Sequence, residues 1–242
     1  MAKYVLITGG TKGIGYSVAK ILANSGYNLV LTYASDEVAA IKSRDILRGK
    51  TAVEILKADI ADKKSIQSIC DFFIKNSIRL TSVIFNAGIT NRDDFEKISI
   101  EAWERVFFAN VHFPVFLLQS FIDKNLIEKG GNILFTGSLM GNFPHSVSLA
   151  YGVSKSSVHS LVKNLVKFMK PYDIRVNAVA PGFVDTEWQK EKPVAIRQSI
   201  ESKIALERFC LPEEIAEVYK MIIENGYFNG EIVTLSGGYS YK

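Results

Sequence analysis

The chain has 242 residues, 48% of them hydrophobic and 22% charged, which is typical of a globular domain with its own core. Its formal net charge is only +4, from 29 basic and 25 acidic residues spread along the chain, a pattern that does not indicate nucleic-acid binding. The two cysteines form no CxxC pattern, and we find neither a signal peptide nor an apolar stretch near the ~20 residues of a membrane span. We therefore expect a cytoplasmic protein that does not bind membranes.

Short apolar runs alternate along the chain with longer segments of helical periodicity. Most of the runs are continuous rather than alternating, which is typical of parallel strands covered on both faces. The predicted strands are residues 4–8, 28–33, 52–58, 82–86, 132–137, 175–180 and 231–235. The predicted helices are residues 13–24, 36–47, 63–75, 100–127, 149–169 and 213–225.

This alternation predicts one α/β domain over residues 1–242. With right-handed crossovers it becomes a Rossmann fold, a doubly wound seven-stranded parallel sheet with helices on both faces. Such a sheet binds ligands at the carboxyl ends of its strands. We expect the cofactor in the half formed by residues 1–137, and catalysis and substrate binding in residues 138–242.

The first predicted strand leads into a glycine-rich turn that is followed directly by a helix. Gly9 permits a tight turn, Gly13 the approach of a pyrophosphate, and Gly15 close packing of the helix on the strand. The N–H groups of the helix N-terminus favour phosphate binding. The order of strand, glycines and helix predicts a dinucleotide site, although glycines in loops often serve turn geometry alone. Its other predicted members in this turn are Thr11, Lys12 and Ile14.

The end of the second strand bears on the choice between NAD and NADP. NAD sites usually have an acidic residue there, which binds the ribose 2′-hydroxyl, whereas this chain has Tyr33. Asp36 and Glu37 lie near the expected spacing, but they are also placed to cap the next helix and complement its dipole. Lys12 is placed to contact a 2′-phosphate, and Ser35 to add a hydroxyl donor. The pattern favours NADP, bound as NADPH.

Two further strand ends extend the predicted cofactor site. Asp59 follows the third strand, where its carboxylate is placed to accept from an adenine amino group while Ile60 lines the pocket. Capping of the next helix is the alternative role of Asp59. The fourth strand ends in Asn86, Ala87 and Gly88. Small residues there let the backbone approach the cofactor, and the asparagine is placed to connect neighbouring strands.

Three residues of the second half predict carbonyl–alcohol chemistry. Ser138 follows the fifth strand, and Tyr151 and Lys155 are four residues apart on one face of a predicted helix. A free tyrosine has a pKa of about 10, and a nearby ammonium favours its phenolate. Such a pair alone is common on exposed helices. Here the pair indicates catalysis, because it follows a serine at a strand end in a chain that begins with a dinucleotide-binding turn.

The residues together resemble the classical short-chain dehydrogenase/reductase family over essentially the full length. The matching positions are Thr8 to Gly15, Asp59, Asn86 to Gly88, Asn110, Ser138, Tyr151 to Lys155, and Pro181 with Gly182. The resemblance implies a catalytic tetrad of Asn110, Ser138, Tyr151 and Lys155, with Lys155 also holding the nicotinamide ribose. It further implies that Asn110 bends its helix locally and holds a water that links Lys155 to solvent.

The resemblance also implies that the segment after the sixth strand closes over the nicotinamide. Pro181 and Gly182 would begin this segment, Thr186 would contact the carboxamide, and the backbone of Val184 would meet it, although packing is an alternative role for Val184. Residues 187–207, with Trp188, would form a substrate lid, and a solvated helix explains their charges equally well.

Within the family the chain is most similar to 3-oxoacyl-[acyl-carrier-protein] reductases of fatty acid biosynthesis. This similarity implies NADPH-dependent reduction of a 3-oxoacyl thioester, with a dehydrogenase of a sugar, polyol or other secondary alcohol as the alternative. Carrier-binding members often have arginines where this chain has Asn132 and Tyr172, so an acyl carrier protein is a doubtful partner. A non-catalytic dinucleotide sensor is a remote alternative, because Tyr151 and Lys155 are both present.

The sequence also bears on the oligomeric state and on metal binding. The family forms tetramers or dimers through the helices predicted at 100–127 and 149–169, so we expect a homotetramer or homodimer. Four phenylalanines are candidates for core or interface positions, namely Phe107, Phe108, Phe113 and Phe116. His112, His145 and His159 lack metal-ligand spacing and are interpreted as surface or packing residues.

Overall fold

Seven strands and nine helices are present in the computed structural model, which describes residues 2–144 and 148–241, without the side chains of residues 188 and 240. The strands are β1 (Tyr4–Ile7), β2 (Asn28–Tyr33), β3 (Val53–Lys57), β4 (Leu80–Phe85), β5 (Ile127–Thr136), β6 (Arg175–Pro181) and β7 (Ile232–Leu235). The helices are α1 (Gly13–Asn24), α2 (Glu37–Leu47), α3 (Lys64–Lys75), α4 (Ile100–Phe107), α5 (Phe113–Asp123), α6 (Leu149–Met169), α7 (Glu187–Lys190), α8 (Val194–Glu201) and α9 (Pro212–Glu224).

All seven strands are parallel and form one sheet in the order β3-β2-β1-β4-β5-β6-β7. The chain fills one side of the sheet from β1 to β3 and then crosses back to begin the other side at β4. The strand order therefore reverses between β1 and β4, and in such sheets this switch point opens a crevice at the carboxyl ends of the strands. The predicted Rossmann fold is confirmed.

Hydrophobic side chains of each strand point alternately to the two faces of the sheet, and each face has its own core. On β1, Leu6 belongs to the core beneath α3, α5 and α6, whereas Val5 and Ile7 belong to the core beneath α1 and α9. Phe121 represents the first core and Tyr219 the second, and neither is exposed to solvent. Burial on both faces explains why the strands are continuous apolar runs in the sequence.

The single long helix predicted over residues 100–127 is wrong in two respects. It is interrupted by a π turn at Phe108–His112, and it ends at Asp123. Asn125 adopts a φ of 53°, and the amide of Leu126 donates to the carbonyl of Phe121 at 2.8 Å. A left-handed residue that closes the last turn in this way ends a helix, and the chain then enters β5 five residues earlier than predicted.

Smaller differences have local causes. Asp36 is not the first residue of α2 but its N-cap, and its side chain accepts from the amide of Ala39 at 3.0 Å. The segment 187–207 is not one helix, because Pro193 separates α7 from α8. The start of α9 at Pro212, one residue before the predicted start, places proline in the first turn, and its N-cap amide donates to Glu214 at 2.7 Å.

The stretch Ile100–Asp123 contains an 18-residue window with a mean hydropathy of 1.4, which is high enough, with the length of the stretch, for a membrane-crossing helix. This differs from the sequence expectation, which found no such stretch. In the structure 44% of this window is buried inside the protein, and Phe113, Leu117 and Phe121 lie in the core beneath α3 and α6. A core helix passes the same test of length and composition.

Candidate active site

The loop between β1 and α1 lies at the carboxyl edge of the sheet. Gly9 and Gly13 have φ values of 61° and 52°, in the left-handed region that favours glycine. A Cβ atom at Gly15 would overlap the carbonyl oxygen of Gly9 and lie 2.6 Å from Nδ2 of Asn86. Glycine at these positions therefore lets the loop, the first turn of α1 and the end of β4 lie in close contact.

A cavity of about 470 Å³ follows this edge and is called here the dinucleotide cavity. The predicted residues that line it are Gly9, Lys12, Gly13, Ile14, Tyr33, Asp59, Ile60, Asn86, Ala87, Gly88, Tyr151, Lys155 and Thr186. The glycine cradle and the N-terminus of α1 open into it, and both suit a pyrophosphate. The residues present therefore fit a nicotinamide dinucleotide.

Six predicted cofactor residues are not in the lining of this cavity. Thr11 is buried behind the loop, where its carbonyl accepts from Ser43, and Gly15 lies in the helix contact described above. Ser35 is exposed outside the cavity. The other three, Pro181, Gly182 and Val184, line a second cavity described below.

The lining also contains residues that the sequence reasoning did not assign. They are Thr32, Ala34, Ala58, Ile89, Thr136 and Glu187. Three of them, Thr32, Ala58 and Thr136, are among the last two positions of a predicted strand, so counting those positions would have identified them, whereas Ala34, Ile89 and Glu187 lie in the loops that follow. Thr32 has a direct role in the loop, because its hydroxyl accepts from the amide of Gly9 at 3.2 Å.

Hydrogen bonds join the ends of β1 and β4 at the switch point. Nδ2 of Asn86 donates to the carbonyls of Thr8 at 3.0 Å and Gly9 at 3.2 Å. In return the Thr8 hydroxyl accepts from the amides of Asn86 and Ala87 at 3.0 and 3.1 Å. This pairing holds the glycine turn against the β4 loop, and the two together contribute to the floor of the dinucleotide cavity.

At the end of β2, Lys12 and Asp36 form an ion pair across the rim of the dinucleotide cavity. The contact with Lys12 lowers the pKa of the Asp36 carboxyl, and the bond from the amide of Ala39 lowers it further. Asp36 therefore caps α2, which is the alternative role that the sequence analysis gave it. Its carboxylate also partly neutralises the ammonium of Lys12. Tyr33 occupies the strand-end position where an NAD site usually has an acid, and its side chain is largely buried.

Asp59 was predicted either to accept a hydrogen bond from the adenine amino group or to cap α3, and the structure supports the first role but not the second. Its carboxylate accepts from the amide of Ala61 at 2.9 Å, a local turn rather than the cap of α3, whose N-cap is Lys63. The Asp59 side chain also lines the dinucleotide cavity beside Ile60, which is buried. An acceptor oxygen is therefore available at the place where the adenine amino group was expected.

Three of the four predicted catalytic residues converge around Tyr151. Ser138 hydrogen-bonds to its phenol, and the Nζ of Lys155 lies 5.5 Å from the centre of its ring. Lys155 is buried, and its ammonium donates to the carbonyl of Thr136 at 2.7 Å. The helical spacing predicted from sequence thus places both side chains on the face of α6 that meets the end of β5.

The electrostatics of this pair differ from the sequence expectation. Burial raises the pKa of Tyr151, and the hydrogen bond with Ser138 offsets this only in part, so the phenol is stabilised rather than the phenolate. Burial also lowers the pKa of Lys155 to about 8. A phenol that keeps its proton near neutrality is suited to donate that proton to a developing alkoxide.

Asn110 lies within the π turn between α4 and α5 and is buried. Its Oδ1 accepts from the amide of Ile89 at 2.8 Å, and its Nδ2 donates to the carbonyl of Ile89 at 2.9 Å and to the hydroxyl of Ser154 at 3.0 Å. It thereby connects the β4 loop to α6 near Lys155. The resemblance implied a local bend at this residue, and the helix changes here from α to π geometry, which is a common cause of helix bending.

A second cavity of about 530 Å³, called here the substrate cavity, adjoins the first. Both cavities are lined by Ile14, Thr136, Tyr151 and Thr186, so they meet at the phenol. One wall of the substrate cavity comes from the segment of α7 and α8, and Ser138 lies at its inner end. A ligand in the dinucleotide cavity and a second ligand in this one would therefore be in contact beside Tyr151.

His159 packs beneath the loop that carries Ser138. A Cβ atom at Gly137 or Gly141 would collide with its ring, and its Nε2 accepts from the amide of Ser138 at 3.4 Å. Its Nδ1 lies 3.0 Å from Oδ1 of Asn142 and donates to it in the neutral tautomer that satisfies both contacts. These contacts fit the packing role that the sequence predicted for His159. The sequence did not indicate that His159 would pack against the loop that carries Ser138.

This environment predicts a pH dependence of stability. Burial, aided by Lys155 and Lys163, lowers the pKa of His159 to about 4, whereas an unfolded histidine titrates near 6.5. Between these values the unfolded chain binds the extra proton, so the free energy of unfolding should fall as pH decreases from 6.5 to 4, by up to ~1.4 kcal/mol per pH unit. Denaturant unfolding across this range should show a smaller fall for His159→Gln. Parallel curves for the two proteins would contradict the assignment.

Residues 2–144 and 148–241 contain no group of three or more His, Cys, Asp or Glu side chains that could hold a metal ion. His145 lies outside the described residues. The chemistry of the site rests instead on a glycine cradle for a dinucleotide and a serine, tyrosine and lysine beside it. Together these define an oxidoreductase site of the nicotinamide-dinucleotide type.

Comparison with known proteins gives the same class. Residues 9–240 match the family model described as enoyl-(acyl carrier protein) reductase. The chain belongs to the short-chain dehydrogenase/reductase family. It is 30% identical over 99% of both chains to the uncharacterized oxidoreductase YmfI of Bacillus subtilis.

Other relatives differ in the substrates that their names state. A 3-oxoacyl-[acyl-carrier-protein] reductase FabG of Aquifex aeolicus is 29% identical over 98% of this chain and 96% of its own. Glucose 1-dehydrogenase 2 of Bacillus subtilis is also 29% identical, over 98% and 94%. Among solved structures, BdcA in complex with NADPH superimposes with a TM-score of 0.86 at 27% identity, covering 97% of this chain and 93% of that one.

Proposed function

We propose that this protein reduces a 3-oxoacyl thioester to the 3-hydroxyacyl thioester with NADPH. The observation that carries the proposal is that the dinucleotide and substrate cavities meet at Tyr151, whose raised pKa keeps its phenol protonated near neutrality. The lining of the substrate cavity includes apolar side chains, among them Phe183, Ile196 and Ile200, which suit an acyl chain. The relative named as a FabG reductase supports the same substrate class.

The tetrad residues have separate tasks in this reaction. A bound nicotinamide dinucleotide would supply the hydride to the carbonyl carbon. Ser138 and Tyr151 hydrogen-bond the carbonyl oxygen, which fixes the carbonyl for attack, and Tyr151 transfers its proton to the developing alkoxide. Lys155 returns a proton to the tyrosine, and Asn110 keeps the β4 loop and α6 in the positions that this transfer requires.

The proposal of NADPH rather than NADH rests on the rim of the dinucleotide cavity. Tyr33 provides no carboxylate for a ribose 2′-hydroxyl, whereas Lys12 brings a positive charge to the same rim. Asp36 already pairs with Lys12, so a 2′-phosphate must compete with this carboxylate for the ammonium. The BdcA complex with NADPH supports a phosphorylated cofactor in this fold.

The competition predicts opposite effects of two substitutions. Lys12→Ala should lower kcat/KM for NADPH by about tenfold, because a charged contact to the phosphate is lost, and should change kcat/KM for NADH little. Asp36→Asn keeps an N-cap for α2 but removes the competing charge, so it should raise kcat/KM for NADPH. Initial rates with both cofactors test this. A change in kcat/KM of equal size for NADH and NADPH would show that Lys12 does not contact the 2′-phosphate.

The direct test of the function follows NADPH and NADH oxidation by absorbance with acetoacetyl-coenzyme A as substrate. The expected result is turnover that prefers NADPH and that Tyr151→Phe lowers by a factor of about 10² or more. Turnover with NADH alone would overturn the cofactor assignment. Binding of cofactor without turnover of the thioester would favour the alternative, a sugar, polyol or secondary-alcohol dehydrogenase. That alternative is favoured by the similarity to glucose 1-dehydrogenase 2.

We also propose a homotetramer or homodimer assembled through the faces of α4, α5 and α6. Phe113 is buried, but Ile100, Phe116 and Phe168 are 72%, 48% and 69% exposed, which is unusual for large apolar side chains on adjoining helices. Light scattering of the purified protein should give a mass above that of one chain. Phe168→Glu should shift it toward the monomer, and an unchanged mass would exclude this face.

A further inference from the structure

The substrate cavity carries positive charge and no negative charge among the described residues that line it. Its charged lining residues are Arg92 from the loop after β4, Lys192 from the turn between α7 and α8, and Lys203 just after α8. No aspartate or glutamate appears in that lining. The described lining therefore favours an anionic ligand group electrostatically.

Other cations of the same segment are compensated within the protein. Arg197 lies 3.1 Å from Asp185 and 3.9 Å from Glu201, and Lys190 lies 3.3 Å from Glu187. By contrast, neither Lys192 nor Lys203 has an ion-pair partner within residues 2–144 and 148–241. Within this segment, Lys190 and Arg197 are therefore paired with carboxylates, whereas Lys192 and Lys203, which line the cavity, have no ion pair among the described residues.

Arg92 and Lys192 come from different elements but are close enough for their charges to interact. Lys192 is half-buried, and its pKa is lowered first by burial and then by the charge of Arg92. Holding two like charges at one cavity wall costs free energy that an anion between them would offset. The wall is therefore better suited to an anionic ligand group than to none.

We propose that the substrate cavity binds a thioester through an anionic phosphate on its arm, with Arg92 and Lys192 as the phosphate ligands and Lys203 adding positive charge. This inference rests on the proposed thioester reduction and adds the group that determines specificity. The 4′-phosphopantetheine arm has this chemistry, with a carbonyl at one end, an apolar middle and a phosphate at the other end. Coenzyme A and a carrier protein both present this arm, so the phosphate is the shared feature that the cavity recognises.

Three thioesters separate the phosphate from the rest of the ligand, namely acetoacetyl-pantetheine, acetoacetyl-4′-phosphopantetheine and acetoacetyl-coenzyme A. At saturating NADPH, both phosphorylated thioesters should have KM values about fivefold lower than acetoacetyl-pantetheine, the ratio that corresponds to one exposed ion pair. Raising the ionic strength from ~0.05 M to ~0.5 M should raise their KM values and leave that of acetoacetyl-pantetheine nearly constant. A lower KM for the coenzyme A thioester alone would overturn the assignment, because the adenylate part would then be the recognised group.

Variants assign the effect to the named side chains. Arg92→Gln and Lys192→Gln should each bring the KM ratio between acetoacetyl-pantetheine and acetoacetyl-4′-phosphopantetheine close to one. Lys190→Gln is the matched control, because this lysine lies in the same segment but outside the cavity lining, and it should keep the ratio of the wild type. A ratio that survives in both cavity variants would overturn the inference.

A binding measurement separates this inference from the proposed reaction. Calorimetric titration with 4′-phosphopantetheine and with pantetheine requires no turnover, and the phosphorylated compound should bind about fivefold more tightly. Equal affinities would overturn the phosphate site whether or not a thioester is reduced. Tighter binding of 4′-phosphopantetheine without turnover of any thioester would support the site and overturn only the reaction.

Discussion

Tyr151→Phe is expected to reduce kcat for the proposed reduction by a factor of about 10²–10⁴, the usual contribution of a positioned proton donor. The substitution removes one hydroxyl and keeps the ring, so the contact between the ring and Lys155 and the packing of α6 should persist. The KM for the cofactor should change little, because Lys155, the glycine turn and the β4 loop remain in place. Steady-state rates and a cofactor titration measure both quantities.

The control for this variant is Tyr227→Phe, which removes the same hydroxyl from a side chain that is 98% exposed and distant from both cavities. It should retain wild-type rates. If Tyr151→Phe kept more than a tenth of the wild-type kcat, another group would have to donate the proton, and the roles given to Ser138 and Tyr151 would be wrong.

Lys155→Met is expected to lower kcat by about 10²-fold or more while leaving the fold as stable as the wild type, or more stable. The wild-type ammonium is buried and donates to the carbonyl of Thr136, and burying a charge in this way costs free energy. Methionine fills a similar volume without that cost, although the Thr136 carbonyl loses its donor. We therefore expect kcat to fall while the free energy of unfolding stays the same or rises.

The same substitution has a signature in pH. The pKa of Lys155 is about 8 in the folded protein and 10.5 for the ordinary group, so between these values the unfolded chain binds the extra proton. The free energy of unfolding of the wild type should therefore rise with pH across this window, and the rise should be smaller in Lys155→Met. Lys163→Met, at an exposed position of the same helix, should retain the wild-type dependence. Equal pH dependence in the wild type and Lys155→Met would contradict a buried Lys155 with a lowered pKa.

Much of the fold could be predicted because its signals are local. Continuous apolar runs such as the one that became β2 follow from burial on both faces of a sheet, and the start of α1 at Gly13 follows from the glycine turn. The spacing of Tyr151 and Lys155 likewise determines, through helical periodicity alone, that both lie on one face of α6.

Element ends were less predictable where a single backbone conformation decides them. The left-handed Asn125 ends α5, and Pro193 divides the lid segment into α7 and α8, whereas apolar periodicity continues across both places. The resemblance to a family, rather than periodicity, indicated the bend at Asn110, because an asparagine within a helical pattern does not by itself predict a π turn.

The sequence by itself therefore determined the strand–helix alternation, the glycine turn and the residue types of the tetrad, since each depends on neighbours within a few positions. Only the tertiary structure decided that burial raises the pKa of Tyr151, that Asp36 shares the charge of Lys12, and that His159 supports the Ser138 loop. It alone placed Arg92 and Lys192 at one cavity, with about a hundred residues between them in the chain. The physical reason is that desolvation and charge pairing depend on which segments distant in sequence pack together. Local periodicity in the sequence does not predict these long-range contacts.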